Sequence, residues 1–421
     1  MNWLPIILFG SFALLLVLRV PISFSLGIAS MLCLMHIKVP LSVMSQRVFA
    51  SLDSFPTMAI PLFILAGNIM TAGGISKRLI GVASAFLEHR PGGLALACVM
   101  ACAFFAALSG SGPATVVAIG SMLYPEMVAK GYPKESMAGL ITVSGGLGPI
   151  IPPSIIMVIY GTQTDTSIGK LFASGGVCGV VLLLALLGMT YYQARKHSWP
   201  FSATKTTGQE RLHAIGRGGL ALLMPVIILG GIYGGVMTPT ESAGVAVVYA
   251  LFVSMVVYRD LNLKDCLKLF RDSAVASSVI LFIMATSSVF SWLFAYGGIT
   301  KTLVSGLTEM DLGYVGVLAF ITITLIIFGF FLEGVATVLL LMPIMLPLAK
   351  SVDISAIHLG MIVTITNVVG CMTPPVAVNI FACSTYTKLS VEQISKGEIP
   401  YLLTMVTVLL LVVLFFPWTG M

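Results

Sequence analysis

The chain has 421 residues, of which 58% are hydrophobic and 9% charged, with a mean hydropathy of +1.05. Soluble globular proteins carry about 25% charged residues, so 22 basic and 16 acidic side chains are too few to cover an aqueous surface of this size. A water-soluble domain is excluded, and an all-α, polytopic membrane protein is expected. Roughly 20 apolar residues make one helical crossing, which leaves room for about a dozen full or partial crossings.

The first apolar run follows Met1-Asn2-Trp3-Leu4-Pro5 and ends near Leu18. It lacks the basic start and small-residue cleavage site of a secretory signal, so segment 3–19 reads as a retained first helix. Further apolar segments lie at 21–37, 55–72, 91–108, 112–129, 136–161, 171–192, 219–237, 241–258, 273–296, 312–330, 333–350, 355–385 and 399–416. The 12 Tyr and 4 Trp supply fillers and interface anchors. Cys33, Cys98, Cys102, Cys178, Cys266, Cys371 and Cys383 show no disulfide or metal spacing. Cys98 and Cys102 share a helix face, where small apolar filler is the favoured reading over a ligand pair.

The basic residues cluster in two connections. Arg195, Lys196, Lys205, Arg211 and Arg217 lie in the polar stretch 193–217, and Arg259, Lys264, Lys268 and Arg271 lie in the next. Two apolar segments separate them, the even number that puts both on one side, and an excess of basic residues makes that side cytoplasmic. Topology is their favoured role, ahead of contacts with anionic lipid or a partner.

Segment 136–161 holds Gly145-Gly146-Leu147-Gly148-Pro149 and Pro152-Pro153, and segment 355–385 holds Gly370-Cys371-Met372-Thr373-Pro374-Pro375. Proline removes a backbone donor and collides with the preceding turn, so each segment should break within the membrane and free main-chain groups that need partners. The two breaks lie 222 residues apart. At that offset Gly112-Pro113-Ala114-Thr115-Val116 falls on Gly334-Val335-Ala336-Thr337-Val338, Pro125 on Pro347, Thr142 on Thr364, and Gly148 on Gly370. At offset 224, Gly73-Gly74-Ile75-Ser76 falls on Gly297-Gly298-Ile299-Thr300. Chance matching of apolar sequence would pair Leu and Val first, so shared Gly, Pro and Thr point to a tandem duplication. Paired interrupted helices in two halves point to a secondary transporter with its site near mid-membrane. An odd number of crossings per half would invert the halves, and inverted repeats are the expected arrangement.

Before each break lies a polar, Gly-rich step between two apolar runs: Ser109-Gly110-Ser111-Gly112-Pro113-Ala114-Thr115 in the first half, Glu333-Gly334-Val335-Ala336-Thr337 in the second. Each pair of runs can form a re-entrant hairpin with the polar step at its tip. Freed carbonyls, C-terminal helix ends and hydroxyls would suit Na+, and exposed helix N-termini would suit an anion. Carboxylates are scarce in the apolar runs, which disfavours a chain of proton-carrying acids. The small residues of the first tip would also serve close helix packing, but recurrence of tip plus break favours the ion-site reading.

Glu333 is costly between apolar runs unless it meets water, an ion or a donor, and a substrate or ion contact is preferred both to capping, which Glu performs poorly, and to an interfacial position. Glu241, in Thr238-Pro239-Thr240-Glu241, reads as helix-start chemistry. Thr286-Ser287-Ser288 and Ser291-Trp292 either face a cavity or bond back within their helix. Asn367 and Asn379 line a cavity or satisfy freed backbone. His358 is expected at the interface. No set of nucleophile, base and orienting group emerges, so an enzyme has no support, and duplicated breaks favour a carrier over a channel.

Several runs occur together in one order: Pro61-Leu62-Phe63-Ile64-Leu65-Ala66-Gly67, Gly73-Gly74-Ile75-Ser76-Lys77-Arg78, Ser109-Gly110-Ser111-Gly112, Gly148-Pro149-Ile150-Ile151-Pro152-Pro153-Ser154, Lys170-Leu171-Phe172, Thr238-Pro239-Thr240-Glu241-Ser242-Ala243 and Thr373-Pro374-Pro375. In these the chain resembles, over essentially its whole length, the large membrane subunit of TRAP (tripartite ATP-independent periplasmic) transporters of the ion transporter superfamily. The resemblance implies a Na+-driven importer of an organic anion in a bacterial or archaeal inner membrane. Its implied partners are a small four-helix membrane subunit, a periplasmic substrate-binding protein and the lipid bilayer, with no nucleic acid.

An elevator-like division is also implied. Scaffold and arm helices would occupy 1–90 and 219–310, the transport parts with hairpin and broken helix 91–195 and 311–421, and a cytoplasmic connector 196–218. One implied Na+ site comprises Ser109, Gly110, Ser111, Gly148 and Ile151, the other Gly329, Gly334, Gly370, Thr373 and Val376, many through backbone carbonyls. The organic anion would meet Ser111, Pro152, Glu333, Thr337 and Pro374. The second tip often carries Asp in this family, so Glu333 brings a longer side chain there. The runner-up is a single-component Na+/organic anion symporter of the same superfamily.

Overall fold

The computed structural model describes residues 3–201, 207–298, 301–302, 305–306, 313–330, 332–374 and 377–415. Among these the regular elements are helices. The first half runs α1 (Leu4–Val17), α2 (Ile22–His36), α3 (Ser42–Leu52), α4 (Ala59–Ala72), α5 (Ile75–Leu87), α6 (Gly93–Ser109), α7 (Gly112–Ala129), α8 (Lys134–Gly145), α9 (Ile155–Thr164) and α10 (Ile168–Lys196). The second runs α11 (Gly208–Tyr233), α12 (Pro239–Phe252), α13 (Leu263–Tyr296), α14 (Gly313–Gly329), α15 (Gly334–Lys350), α16 (Ala356–Met372), α17 (Val378–Thr387) and α18 (Val391–Phe415).

Local chemistry sets the helix ends. Thr207 with Glu210, Thr238 with Glu241 and Asn262 with Asp265 form reciprocal capping boxes at the starts of α11, α12 and α13. The Ser154, Ser167 and Ser355 hydroxyls cap α9, α10 and α16. The two expected breaks are present: α8 and α9 are separate helices on either side of Gly146–Ser154, and α16 and α17 are separate on either side of Thr373–Ala377.

Some helices lie outside the apolar segments. α3 buries no residue, and Ser42, Ser45, Gln46, Arg47 and Ser51 interrupt its apolar residues, so no run marks it. α5 buries Ile75, Leu79, Val82 and Ala83 on one face, an amphipathic spacing too short in apolar length to read as a crossing. α11, α13 and α18 start about 8–11 residues before their apolar segments, because capped polar turns extend each helix past its hydrophobic part. His358 is 2% exposed and lies 3.5 Å from the Tyr314 hydroxyl, in the first turn of α16 and buried between helices.

Among the described residues, six helical stretches are long and apolar enough to cross a membrane: Phe55–Ala72, Ile168–Lys196, Gly208–Tyr233, Pro239–Val257, Leu263–Tyr296 and Val391–Leu414. Leu184, Val226, Val248 and Leu403 project from these stretches as exposed side chains. So much open apolar surface would be a liability in water and is the expected face toward lipid. α6 and α16, by contrast, are apolar and buried almost all round, which places them at the centre.

The two halves echo each other in structure. α7 and α15 start at Gly112 and Gly334, and α8 and α16 start at Lys134 and Ala356, both at the 222-residue spacing. Gly74 and Gly298, just past α4 and α13, both take left-handed φ angles of 68° and 66°. α12 packs on α4 as α2 packs on α13, and α6, α7 and α8 pack together as α14, α15 and α16 do. The halves differ where α3 and α4 are parted by a 3-10 turn at Phe55–Met58 while α13 runs unbroken.

Candidate functional site

The tip between α6 and α7 is a two-residue turn. Gly110 ends α6 with φ of 59°, and a Cβ there would lie 2.6 Å from the Pro153 carbonyl oxygen. Only glycine fits both the angle and the approach. Ser111 takes an extended conformation as the residue before α7, and its carbonyl accepts from the Thr115 amide (3.2 Å) and the Thr115 hydroxyl (2.7 Å). The hydroxyls of Ser109 and Thr115 lie 3.0 Å apart. The second tip repeats this: the Glu333 carbonyl accepts from the Thr337 amide (2.9 Å) and hydroxyl (3.1 Å). Glu333 precedes α15 with no side-chain cap, and its side chain is open to the cavity.

Each tip meets a break by backbone contact. A Cβ on Gly148 would lie 2.5 Å from the Ser111 carbonyl oxygen, and one on Gly370 2.6 Å from the Gly329 carbonyl carbon. The halves also interlock. A Cβ on Gly112 would lie 3.0 Å from Asn379 Oδ1 in α17, and one on Gly334 2.5 Å from both Ile156 Cδ1 in α9 and Asn367 Oδ1 in α16. Each tip therefore leans on the post-break helix of the opposite half.

The tips and breaks enclose one cavity of about 280 Å³. Ser109, Gly110, Ser111, Gly334 and Glu333 line it, as do the N-terminal residues of α7, α9, α15 and α17. Four helix N-termini direct amides and positive partial charge toward it. The C-terminal ends of α6, α8 and α16 reach it at Ser109, Gly146 and Cys371 and bring carbonyl oxygens. Neutral carbonyl and hydroxyl oxygens at these ends suit a hard, singly charged cation. Among the described residues lining the cavity, Glu333 is the one charged side chain.

The remaining expected residues lie at varying distances from this space. Gly148, Gly329 and Gly370 are buried at the tip-to-break contacts just behind the cavity wall. Ile151 packs against Gly179 in α10, Pro152 is buried in the first break, and neither lines the cavity. Thr337 is 0% exposed one turn behind the second tip, its hydroxyl spent on the Glu333 carbonyl. Thr373 ends α16, where its hydroxyl donates to the Val369 carbonyl (2.8 Å), and Pro374 is exposed. Val376 lies outside the described residues.

Asn367 and Asn379 both line the cavity, and Asn379 also donates to the Thr142 carbonyl (3.3 Å), tying α17 to α8. Glu241 is helix-start chemistry, accepting from the Thr238 amide (2.7 Å). The Thr286, Ser287 and Ser288 hydroxyls donate back to the Phe282, Met284 and Ala285 carbonyls and do not line the cavity. One wall went unread in the sequence: Asn68 and Thr71 from α4, with Ala276 and Ile280 from α13. Asn68 donates to the Ser273 hydroxyl across these helices (2.8 Å). A lone amide within an apolar segment is the signal that marks Asn68.

A helical membrane protein whose interrupted helices and hairpin tips converge on a shared cavity belongs to the class of secondary transporters. Residues 9–419 match the family described as tripartite ATP-independent periplasmic transporter, DctM component, and the chain belongs to that family. It is therefore a multi-pass protein of a bacterial inner membrane. It is 39% identical over 422 residues to the C4-dicarboxylate TRAP transporter large permease protein DctM of Rhodobacter capsulatus, with 97% of this chain and 96% of that one covered. It is also 39% identical over 406 residues to the isethionate TRAP transporter permease protein DctMQ of Oleidesulfovibrio alaskensis. There the match covers 96% of this chain but 64% of the longer relative. Among solved structures, the Alcanivorax borkumensis YdaH transporter has a similar fold, with a TM-score of 0.64 at 14% identity over 89% of this chain and 88% of that one.

Proposed function

We propose that the chain is the large membrane subunit of a TRAP importer that moves a small organic anion inward on a Na+ gradient. A small four-helix membrane subunit and a periplasmic substrate-binding protein complete the transporter. The observation that carries this reading is the shared cavity of about 280 Å³, bordered by both tips and both breaks. Cargo named for two relatives, C4-dicarboxylates and isethionate, gives the substrate class: a small carboxylate or sulfonate.

With no Lys, Arg or His among its described lining residues, the cavity has two sources of positive potential for an anion. One is the set of helix N-termini, and the other is the coupling ion itself. Na+ on the carbonyl ends would then make the cavity attractive to the cargo, which is a physical reason for coupling. In this reading one Na+ is held by Ser109, Gly110, Ser111, Gly148 and Ile151. The second is held by Gly329, Gly334, Gly370, Thr373 and Val376. The cargo meets Ser111 and Glu333 at the two tips. The halves act as inverted repeats, with 91–195 and 311–421 moving as a transport body against a scaffold of 1–90 and 219–310.

Uptake into proteoliposomes tests this, using the chain with its small membrane subunit and binding protein, and labelled C4-dicarboxylate or isethionate as cargo. Uptake should require an inward Na+ gradient and stop when K+ replaces Na+. Uptake that persists unchanged in K+ rejects Na+ coupling. Undiminished uptake without binding protein would favour a single-component symporter.

A further inference from the structure

A second cavity lies apart from the tips, a cleft of about 1060 Å³ where α5, the start of α11 and residues 257–260 beyond α12 meet. The stretch Gly208–Tyr233 begins there and Pro239–Val257 ends there, so the cleft sits at a membrane boundary. The basic residues of these connections assign that boundary to the cytoplasmic side.

Its charges are unevenly matched. Arg78 is fixed in place: it pairs with Asp260 at 2.5 Å, donates to the Gly74 carbonyl at 3.0 Å, and lies 3.6 Å over the Tyr258 ring. Asp260 is thereby occupied. Glu210 accepts from the Thr207 amide at 2.8 Å in the capping box of α11, which fixes the carboxylate but leaves its charge, so the Lys, Arg, Asp and Glu side chains lining the cleft carry a net charge of +1. Lys77 and Arg217 line the same cleft, are exposed, and have no acidic partner within ion-pair distance among the described residues. Leu220 and Val257 add apolar surface to the cleft wall.

We propose that this cleft seats an anionic phospholipid of the cytoplasmic leaflet, with the phosphodiester between Lys77 and Arg217 and an acyl chain along Leu220 and Val257. Two cations without an ion-pair contact, in a cleft of net positive charge beside apolar side chains at the level where headgroups lie, complement a ligand with a negative head and an apolar body. A soluble phosphate would use the cations but gain nothing from Leu220 and Val257, and a zwitterionic lipid would use the apolar wall but neutralise less of the charge. The site would bind α5 to the α11–α12 pair from the membrane side.

Thermal unfolding of the purified full chain in neutral detergent, titrated with phosphatidylglycerol, phosphatidylcholine or inorganic phosphate, tests the proposal. Phosphatidylglycerol should raise the midpoint saturably, and the other two should not. The double variant Lys77→Gln, Arg217→Gln should weaken the response to phosphatidylglycerol by about tenfold or more. The charge-preserving pair Lys77→Arg, Arg217→Lys should retain it, which separates charge loss from misfolding. An absent shift with phosphatidylglycerol, an equal shift with phosphatidylcholine or inorganic phosphate, or an undiminished response in the Gln variant would each overturn it.

Discussion

Gly148 has no room for one more carbon. A Cβ there would lie 2.5 Å from the Ser111 carbonyl oxygen and 2.9 Å from the Gly112 amide nitrogen, both backbone atoms that cannot swing aside. Gly148→Ala must therefore push the first tip off the first break, at a cost of about 1–3 kcal/mol by analogy with overpacked cores. If Ser111 and Gly148 share an ion, that displacement should raise the Na+ concentration for half-maximal uptake by about tenfold or more, as 1.4 kcal/mol is a factor of ten. Helical content by circular dichroism should be unchanged. Gly188→Ala is the control, since a Cβ there meets nothing within 4 Å. Unchanged Na+ dependence in Gly148→Ala would remove this contact from ion binding. Gly148 was legible in the sequence because it repeats as Gly370 at a fixed spacing. Side-chain direction was not. Ile151 turns to Gly179 and the Thr337 hydroxyl turns into its own helix, because a motif gives order along the chain and not the rotation of each residue about a helix axis.

The helix breaks could be read directly, because proline and clustered glycine act through the local backbone. Helix starts were read less well. Apolar length defines a crossing, but a capped polar turn can lead into it, and α18 starts at Val391, eight residues before its apolar segment. That offset hid Glu398, which belongs to the helix and is 1% exposed. Both of its carboxylate oxygens lack a hydrogen-bond partner among the described residues, and its backbone packs directly on Gly139 of α8. An unpaired buried carboxyl carries the cost either of its charge or of the proton uptake that removes it, and a neutral amide of the same shape carries neither. Glu398→Gln should therefore leave the unfolding midpoint of the purified chain unchanged or raise it by a few degrees. A fall of several degrees would mean that the acid makes a stabilising interaction that the amide cannot replace.

For the whole molecule, the question is whether the bodies carrying the tips move past the helices that face them. α10 belongs to the proposed transport body and α11 to the scaffold, and they touch away from the cavity. A Cβ on Gly169 would lie 3.6 Å from Ile232 Cγ2, and the two positions are half-buried. Ile232 Cβ, one bond beyond that methyl, lies more than 4 Å from the Gly169 position, so a disulfide, whose Cβ atoms sit roughly 3.5–4.5 Å apart, needs a small approach of the two helices. With the seven native cysteines replaced, the pair Gly169→Cys, Ile232→Cys should cross-link on oxidation; neither position lines the cavity, and because Cys371 does, the cysteine-free chain is the reference for uptake. If transport requires sliding at this seam, oxidation should abolish Na+-driven uptake and a reductant should restore it, while each single cysteine variant transports under both conditions. The seam lies outside the cavity, so a block there cannot come from obstructing the cargo. Full cross-linking by mass shift with undiminished uptake would mean that α10 and α11 travel together, and the division into a fixed scaffold and a moving body at this boundary would be wrong.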